Sequence, residues 1–458
     1  MNQAVQPTPA ASTYVETRRH ELRKSRLVMI DGSLAMNSRT AEGGISSRVY
    51  DRGYWGFASA PDSGQGTNLE QVGRKARKNA RTMARFGPRT AFGLPGGSYR
   101  GEHAFAGRPA LSQKECVERL AELHAWCAKR YPALKSTLFM LQDEHHSKWL
   151  STSQGSEVLN SIQRAVCYMT LTAEGPDGAP VEMLDRISGK GSLADLDLSI
   201  EALAPVLDRL HEQLQDKRHA VSARGGLHTV VMGPDLAGIL AHEAMGHPCE
   251  ADLVLGGAMT RDLVGQPVAS ELITMVDYAH SRDGEELMVP VYADDEGTPA
   301  RDAVLIERGR LTDFMSSRET AARLGITPTG SARAYNPNDE PLVRMRNTAI
   351  LPGSSKLDDM IAGVDDGYLL LKTSNGQADS TTEFMFGISL AYEIRNGKVG
   401  SAIRDTTVSG SAIKVLSSVD AVSDDMQWTC AGYCGKKQPM VVSMGGPAIR
   451  ARAHLGGQ

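Results

Sequence analysis

The chain has 458 residues, 41% of them hydrophobic and 23% charged, the balance of an ordinary globular protein with room for two cores. A net charge of −4 gives no overall attraction to nucleic acid or to an anionic membrane, and no apolar run approaches the ~18 residues of a spanning helix. Six scattered cysteines lack the spacing of a disulfide framework, so a reduced, cytoplasmic protein is expected.

Residues 1–12 are polar, rich in Pro and Ala and without the apolar stretch of a secretory signal; they are expected to form a disordered tail. A strand is predicted over 26–31, then a hairpin over 45–59 turning at Asp51, Arg52 and Gly53. The basic stretch with Arg74, Lys75, Arg77, Lys78, Arg81 and Arg85 is interleaved with Val72, Ala76, Ala80, Met83 and Ala84. Lacking aromatic residues for base stacking, it reads as the solvated face of a helix and not as a nucleic-acid surface. Residues 113–130 place Val117, Leu120, Leu123 and Cys127 on one helical side behind a Ser112 cap. Strands over 137–172, a turn at 175–178 and a helix over 193–215 complete the first half. Beyond a boundary near 216–226, glycine-rich turns at Gly256-Gly257, Gly309, Gly397 and Gly445-Gly446 separate short strands. The expectation is an α+β protein. An N-terminal α/β domain over 13–220, with a curved sheet and long helices, precedes a mainly β domain over 221–458 that carries one conspicuous helix over 235–247.

That helix holds the chemistry. His242-Glu243-Ala244-Met245-Gly246-His247 sets two imidazoles, the commonest transition-metal ligands, around a carboxylate able to act as a base. The zinc-peptidase pattern His-Glu-x-x-His has its histidines at i and i+4; here they stand at i and i+5, about 140° apart on a regular helix. Both reach one ion only if the helix ends or loosens before His247, and Gly246 with Pro248 supplies the expected break. Asp235 is placed as the cap, and the apolar run 236–241 as buried, where ionisable groups are costly unless paired or bound to metal. A third ligand must come from elsewhere. Cys434 stands out, in a glycine-flanked loop beside Lys436 and Lys437, which would favour a thiolate. On spacing alone Glu250 and Asp252 remain open as well, and Cys249 reads equally as a small buried hydrophobe. A Cys430–Cys434 disulfide or independent metal pair is weakly supported at a spacing of four.

The segment His242-Glu243-Ala244-Met245-Gly246-His247-Pro248-Cys249-Glu250-Ala251-Asp252 resembles the metal-binding signature of the TldD/PmbA peptidase family. The likeness continues in order through Asp294-Asp295-Glu296-Gly297-Thr298-Pro299, Leu305 to Gly309, Pro341 to Thr348, Pro352-Gly353, Asp405 to Gly410 and Cys434-Gly435-Lys436 to Gly456-Gly457. Near the start, Gly44 to Tyr50 and Gly53 to Ala58 fit the family's first block, so most of residues 26–458 are covered. The resemblance implies a metallopeptidase whose metal is held by His242, His247 and Cys434, with Glu243 as general base. It also implies paired subunits, a homodimer or a heterodimer with a relative that can lack the metal set. Two stretches depart from the family pattern, Ser374 to Glu383 and Cys434 to Pro439, where a substrate would lie.

The leading expectation is hydrolysis of amide bonds in unfolded or modified peptides, assisted by Zn²⁺, with Fe²⁺ as the competing metal. Peptides that dock as extended strands are favoured as substrates over a small amide conjugate from a biosynthetic pathway. A non-catalytic partner subunit is the second reading, against which the retained His242, Glu243, His247 and Cys434 count. A purely structural metal site is the third; such sites take four protein ligands, and three are convincing here.

Overall fold

A computed structural model describes residues 13–62, 69–87, 89–105, 107–378 and 381–456; the tail expected over 1–12 lies outside them. The first half is built on a seven-stranded sheet in the order β3-β2-β1-β5-β6-β4, with β7 also on β6. Its strands are β1 (Tyr14–Ile30), β2 (Ser33–Asp51), β3 (Tyr54–Pro61), β4 (Arg100–His103), β5 (Ser136–Thr152), β6 (Glu157–Glu174) and β7 (Pro180–Lys190). All neighbours are antiparallel except β4 and β6. The β2–β3 turn falls where expected, with Arg52 and Gly53 both at positive φ, as a tight hairpin requires.

Three expectations change. The strand read over 26–31 is the end of a 17-residue strand, and β2 starts at Ser33, long before 45. Neither addition carries an apolar alternation: residues 33–43 are exposed throughout, held by backbone pairing to β1. The helix read over 193–215 is α3 (Ile200–Arg218), opened by Ser199, whose hydroxyl accepts from the Ala202 N–H. By contrast α2 (Gln113–Arg130) starts as predicted, with a full capping box between Ser112 and Glu115. The basic helix α1 (Leu69–Met83) buries Val72, Ala76 and Ala80 and leaves its cations outward.

The two faces of the sheet differ in kind. Phe139, Leu141, Cys167 and Met169 meet Leu120, Leu123, Leu203 and Leu207 of α2 and α3 in an apolar core. One residue out of phase, the opposite face carries buried polar groups: Glu16, Arg18 and His20 on β1, Glu144, His146 and Lys148 on β5, and Arg164 on β6. These meet the C-terminal half through paired charges. Lys148 Nζ lies 2.7 Å from Asp295 Oδ2, and Arg48 bridges Glu16 and Glu296.

The C-terminal half is mainly β, as expected. One sheet contains strands 366–378, 226–232, 449–455, 406–411, 383–395 and 398–403; strands 366–378 and 383–395 also pair, closing it on itself. A second sheet runs 310–311, 303–307, 275–278, 347–350, 443–446 and 427–429. Between them enters α4 (Pro234–Leu240), packed on Ser443–Gly446 so closely that a Cβ on Gly446 would lie 3.2 Å from the Gly238 nitrogen. Asp235 does not cap α4; Gly233 holds that position, Pro234 follows it, and Asp235 pairs with Arg186 at 3.3 Å. No helix among the described residues is long and apolar enough to cross a membrane.

At Ala241 the helix does not end. It widens into a π-helical segment, Ala241–Gly246, and the His247 N–H donates to the His242 carbonyl five residues back. Gly246 itself stays helical, at φ −61° and ψ −55°. Its lack of a side chain serves packing instead of a break, since a Cβ there would sit 2.4 Å from Met345 Sδ and 3.0 Å from the Ala241 oxygen. Gly246→Ala is therefore expected to lower the stability of the metal-free protein by about 1–3 kcal/mol in denaturant titrations. The same change on a Met345→Ala background should cost less; equal costs in both backgrounds would contradict the packing account.

Candidate metal centre

The widened turn stacks His242 and His247 on one side, their ring centroids 5.1 Å apart and nearly perpendicular. Cys434 comes from far along the chain, on the short strand Tyr433–Cys434 paired with Met440–Val441. One ligand atom from each of His242, His247 and Cys434 can be chosen so that all lie within 4.8 Å of one another, the one His/Cys/Asp/Glu trio of this kind among the described residues. Cys434 Sγ lies 3.4 Å from His247 Nε2. Zinc–sulfur and zinc–nitrogen bonds of about 2.3 and 2.05 Å at a tetrahedral angle would separate the two atoms by about 3.6 Å. His242 is 1% exposed, and its Nδ1 is buried without a hydrogen-bond partner. A buried polar atom left without a partner costs about 1–3 kcal/mol, so these residues suit a cation better than a plain core.

The electrostatics agree with that reading. Burial alone would raise the Cys434 thiol, yet the charge and hydrogen bonds of His242 and His247 bring it down to about 3. Burial would likewise lower His247, but the Glu250 carboxylate and the thiol outweigh it and raise the ring well above its ordinary value. A thiolate held this way is a ready metal ligand.

Glu243 Oε2 stands 3.6 Å from His247 Nε2, and its side chain is 24% exposed, turned into a cleft of about 590 Å³. One wall of this cleft comes from β6 and β7, with Tyr168, Thr170, Glu182 to Leu184 and Arg186. The other includes Lys372, Ser374, Gly376 and the segment 431–433. Of the two stretches that depart from the family pattern, the first therefore contributes directly to the cleft; its residues 379–380 lie outside the described ones.

The remaining candidates take other places. Glu250 is fully buried behind His247, accepting from Nδ1 at 2.7 Å, which leaves Nε2 facing the thiol. Asp252 pairs with Lys436 at 3.0 Å, and Lys436 also reaches Glu250 at 3.2 Å. That lysine thus serves the carboxylates and not the thiol, while Lys437 is exposed. Cys249 is part of the main apolar core, its thiol pushed up by burial. Cys430 is likewise buried, and all six cysteines are free, so no disulfide joins Cys430 to Cys434. Sequence reasoning missed Arg344, a fully buried arginine whose guanidinium donates to the Cys434 and Gln438 carbonyls, both at 2.7 Å. Its position in the Pro341 to Thr348 block was the available signal.

Two family descriptions match the chain: PmbA/TldA metallopeptidase domain 1 over residues 15–80, and the C-terminal domain of the same family over 225–455. A protein named metalloprotease from Methanothermobacter thermautotrophicus is 30% identical over 97% of this chain and 95% of its own. A zinc metalloprotease TldD homolog from Saccharolobus solfataricus is 29% identical over 73% of this chain and 75% of its own. In fold, TldE from Thermococcus kodakarensis aligns with a TM-score of 0.75 at 18% identity, over 97% of each chain. With the domain matches and the full-length similarity in agreement, the chain belongs to the PmbA/TldD metallopeptidase family.

Proposed function

We propose that the protein is a metal-dependent peptidase, with His242, His247 and Cys434 as the metal ligands and Glu243 as the general base. The observation that carries this is the trio of donor atoms, two of its residues buried and His247 half-buried, set beside a carboxylate that faces an open cleft. A Zn²⁺ held there, as the name of the Saccharolobus relative suggests, would supply Lewis acidity toward a substrate carbonyl and acidify water, with Fe²⁺ the alternative. Glu243 takes the proton of the attacking water and returns it to the leaving amine. Glu250 fixes the His247 ring by holding Nδ1, and the buried walls keep the thiolate from solvent. Residues 13–220 and 221–458 are read as two domains, with the cleft between their sheets.

Three expectations test this reading. Elemental analysis should find about one transition metal per chain, lost in Cys434→Ala and kept in Glu243→Gln. In the latter, cleavage should fall ~10²–10⁴-fold. A metal-free wild type, or a Glu243→Gln variant as fast as the parent, would contradict the assignment.

For the substrate, an extended peptide pairing with strand edges in the cleft is favoured over a small amide conjugate. The edge of β7 away from β6 and the part of strand 366–378 beyond Leu370, where its pairing with 226–232 ends, both border the cleft. The metal-loaded protein is expected to cut unstructured peptides and to spare the same sequences inside a folded domain. If no peptide is cut, the small-amide reading takes its place.

We further infer a dimer, either of two copies or with a family relative, as the resemblance implies. Light scattering should give about twice the chain mass, alone or after mixing with the relative; a fully active monomer would refute it.

A further inference from the structure

Residues 430–432, just ahead of the thiol, belong to no strand or helix. Their carbonyls need partners from elsewhere, and side chains of β6 supply them. Arg164 Nη1 donates to the Cys430 oxygen and, at 2.8 Å, to the Gly432 oxygen. Four residues along the same face, the Tyr168 hydroxyl donates to the Ala431 oxygen at 2.7 Å. Three successive carbonyls are thus held by one strand of the N-terminal sheet.

The next residue is held as well. The Tyr433 ring lies 4.1 Å from the Arg164 guanidinium, and its hydroxyl donates to Glu144, the cross-strand partner of Arg164. Gln142 Nε2 donates to the same hydroxyl at 2.7 Å. Arg164 is 1% exposed. Its Nη1 alone bonds two carbonyls two residues apart while the guanidinium carbon lies over the Tyr433 ring, and together these fix the direction from which the chain reaches Cys434. A lysine carries the same charge on a shorter side chain and has no planar group to lie over the Tyr433 ring.

We propose that Arg164, assisted by Tyr168, is a positioning residue for Cys434: through the carbonyls of 430–432, the N-terminal sheet sets where the thiolate stands relative to His242 and His247. The inference rests on the metal reading above and adds that the site, although its ligands all come from the C-terminal half, is completed by the other half.

The test uses the full-length, chelator-treated protein titrated with Co²⁺, whose thiolate complexes absorb by sulfur-to-cobalt charge transfer. Arg164→Lys is compared with Tyr168→Phe and with Asn160→Ala. Asn160 bonds the Ala293 carbonyl at 2.8 Å across the same contact, away from the thiol loop. Wild type and Asn160→Ala should show the same charge-transfer band and Co²⁺ affinity. Arg164→Lys should bind Co²⁺ about 10–100-fold more weakly with a diminished band, beyond anything its unfolding temperature explains. Tyr168→Phe should show a smaller loss of the same sign. An unchanged band and affinity in Arg164→Lys overturns the proposal, and so does unchanged binding in Tyr168→Phe if Arg164→Lys fails to fold. A wild type without the band is a different failure, since it removes the metal reading before any variant is compared.

Discussion

Two imidazoles five residues apart on a helix can face one ion only if that helix ends or loosens, and the candidate metal centre depends on its widening here. The His247-to-His242 backbone bond replaces the ordinary four-residue repeat and turns the two rings to one side. π-Helical turns are rare because their hydrogen-bond geometry is poor, so surrounding packing must hold this one. Leu236, Ala237, Leu240, Ala241, Ala244 and Met245 are all buried in the main core, leaving the segment no room to relax. Met345 against Gly246, and the Ser443–Gly446 strand against α4, close it from two further sides.

The second element is the contact between the halves. Charges buried on the even-numbered face of β1, β2 and β5 are matched by Asp295, Glu296 and backbone carbonyls of the C-terminal half. Pairs of this kind contribute little net stability once desolvation is counted, but each is costly to leave unmatched. They therefore act on alignment, holding β6 over the loop that carries Cys434. The cleft beside Glu243 lies along the same contact. The geometry of Glu243, the thiol and the cleft wall is consequently a property of both halves together.

Features governed by nearby residues were legible in the sequence. The Ser112–Glu115 capping box, the Arg52-Gly53 turn and the buried stripe of α1 each follow from spacing within a few residues. His242, Glu243 and His247 were visible as a motif, and the family resemblance pointed to Cys434 nearly two hundred residues away. What spacing misjudged was how the helix accommodates its histidines. Gly246 suggested a break, whereas the chain keeps its helical dihedrals and changes its hydrogen-bond repeat. Long-range partners were not legible. Nothing local marks Arg164 as a ligand of the 430 and 432 carbonyls, or directs Lys436 to Glu250 and Asp252. Residues 33–43 were missed because a strand exposed on both faces carries no apolar alternation.

The account stands on one coordination set, two imidazoles and one thiolate gathered by a widened helix and a loop held from the opposite sheet. X-ray absorption at the zinc edge of the zinc-loaded protein reads that set directly. The account predicts one sulfur at about 2.3 Å, two imidazole nitrogens at about 2.0 Å and one further light atom. A shell without sulfur, or with two sulfurs, would contradict it.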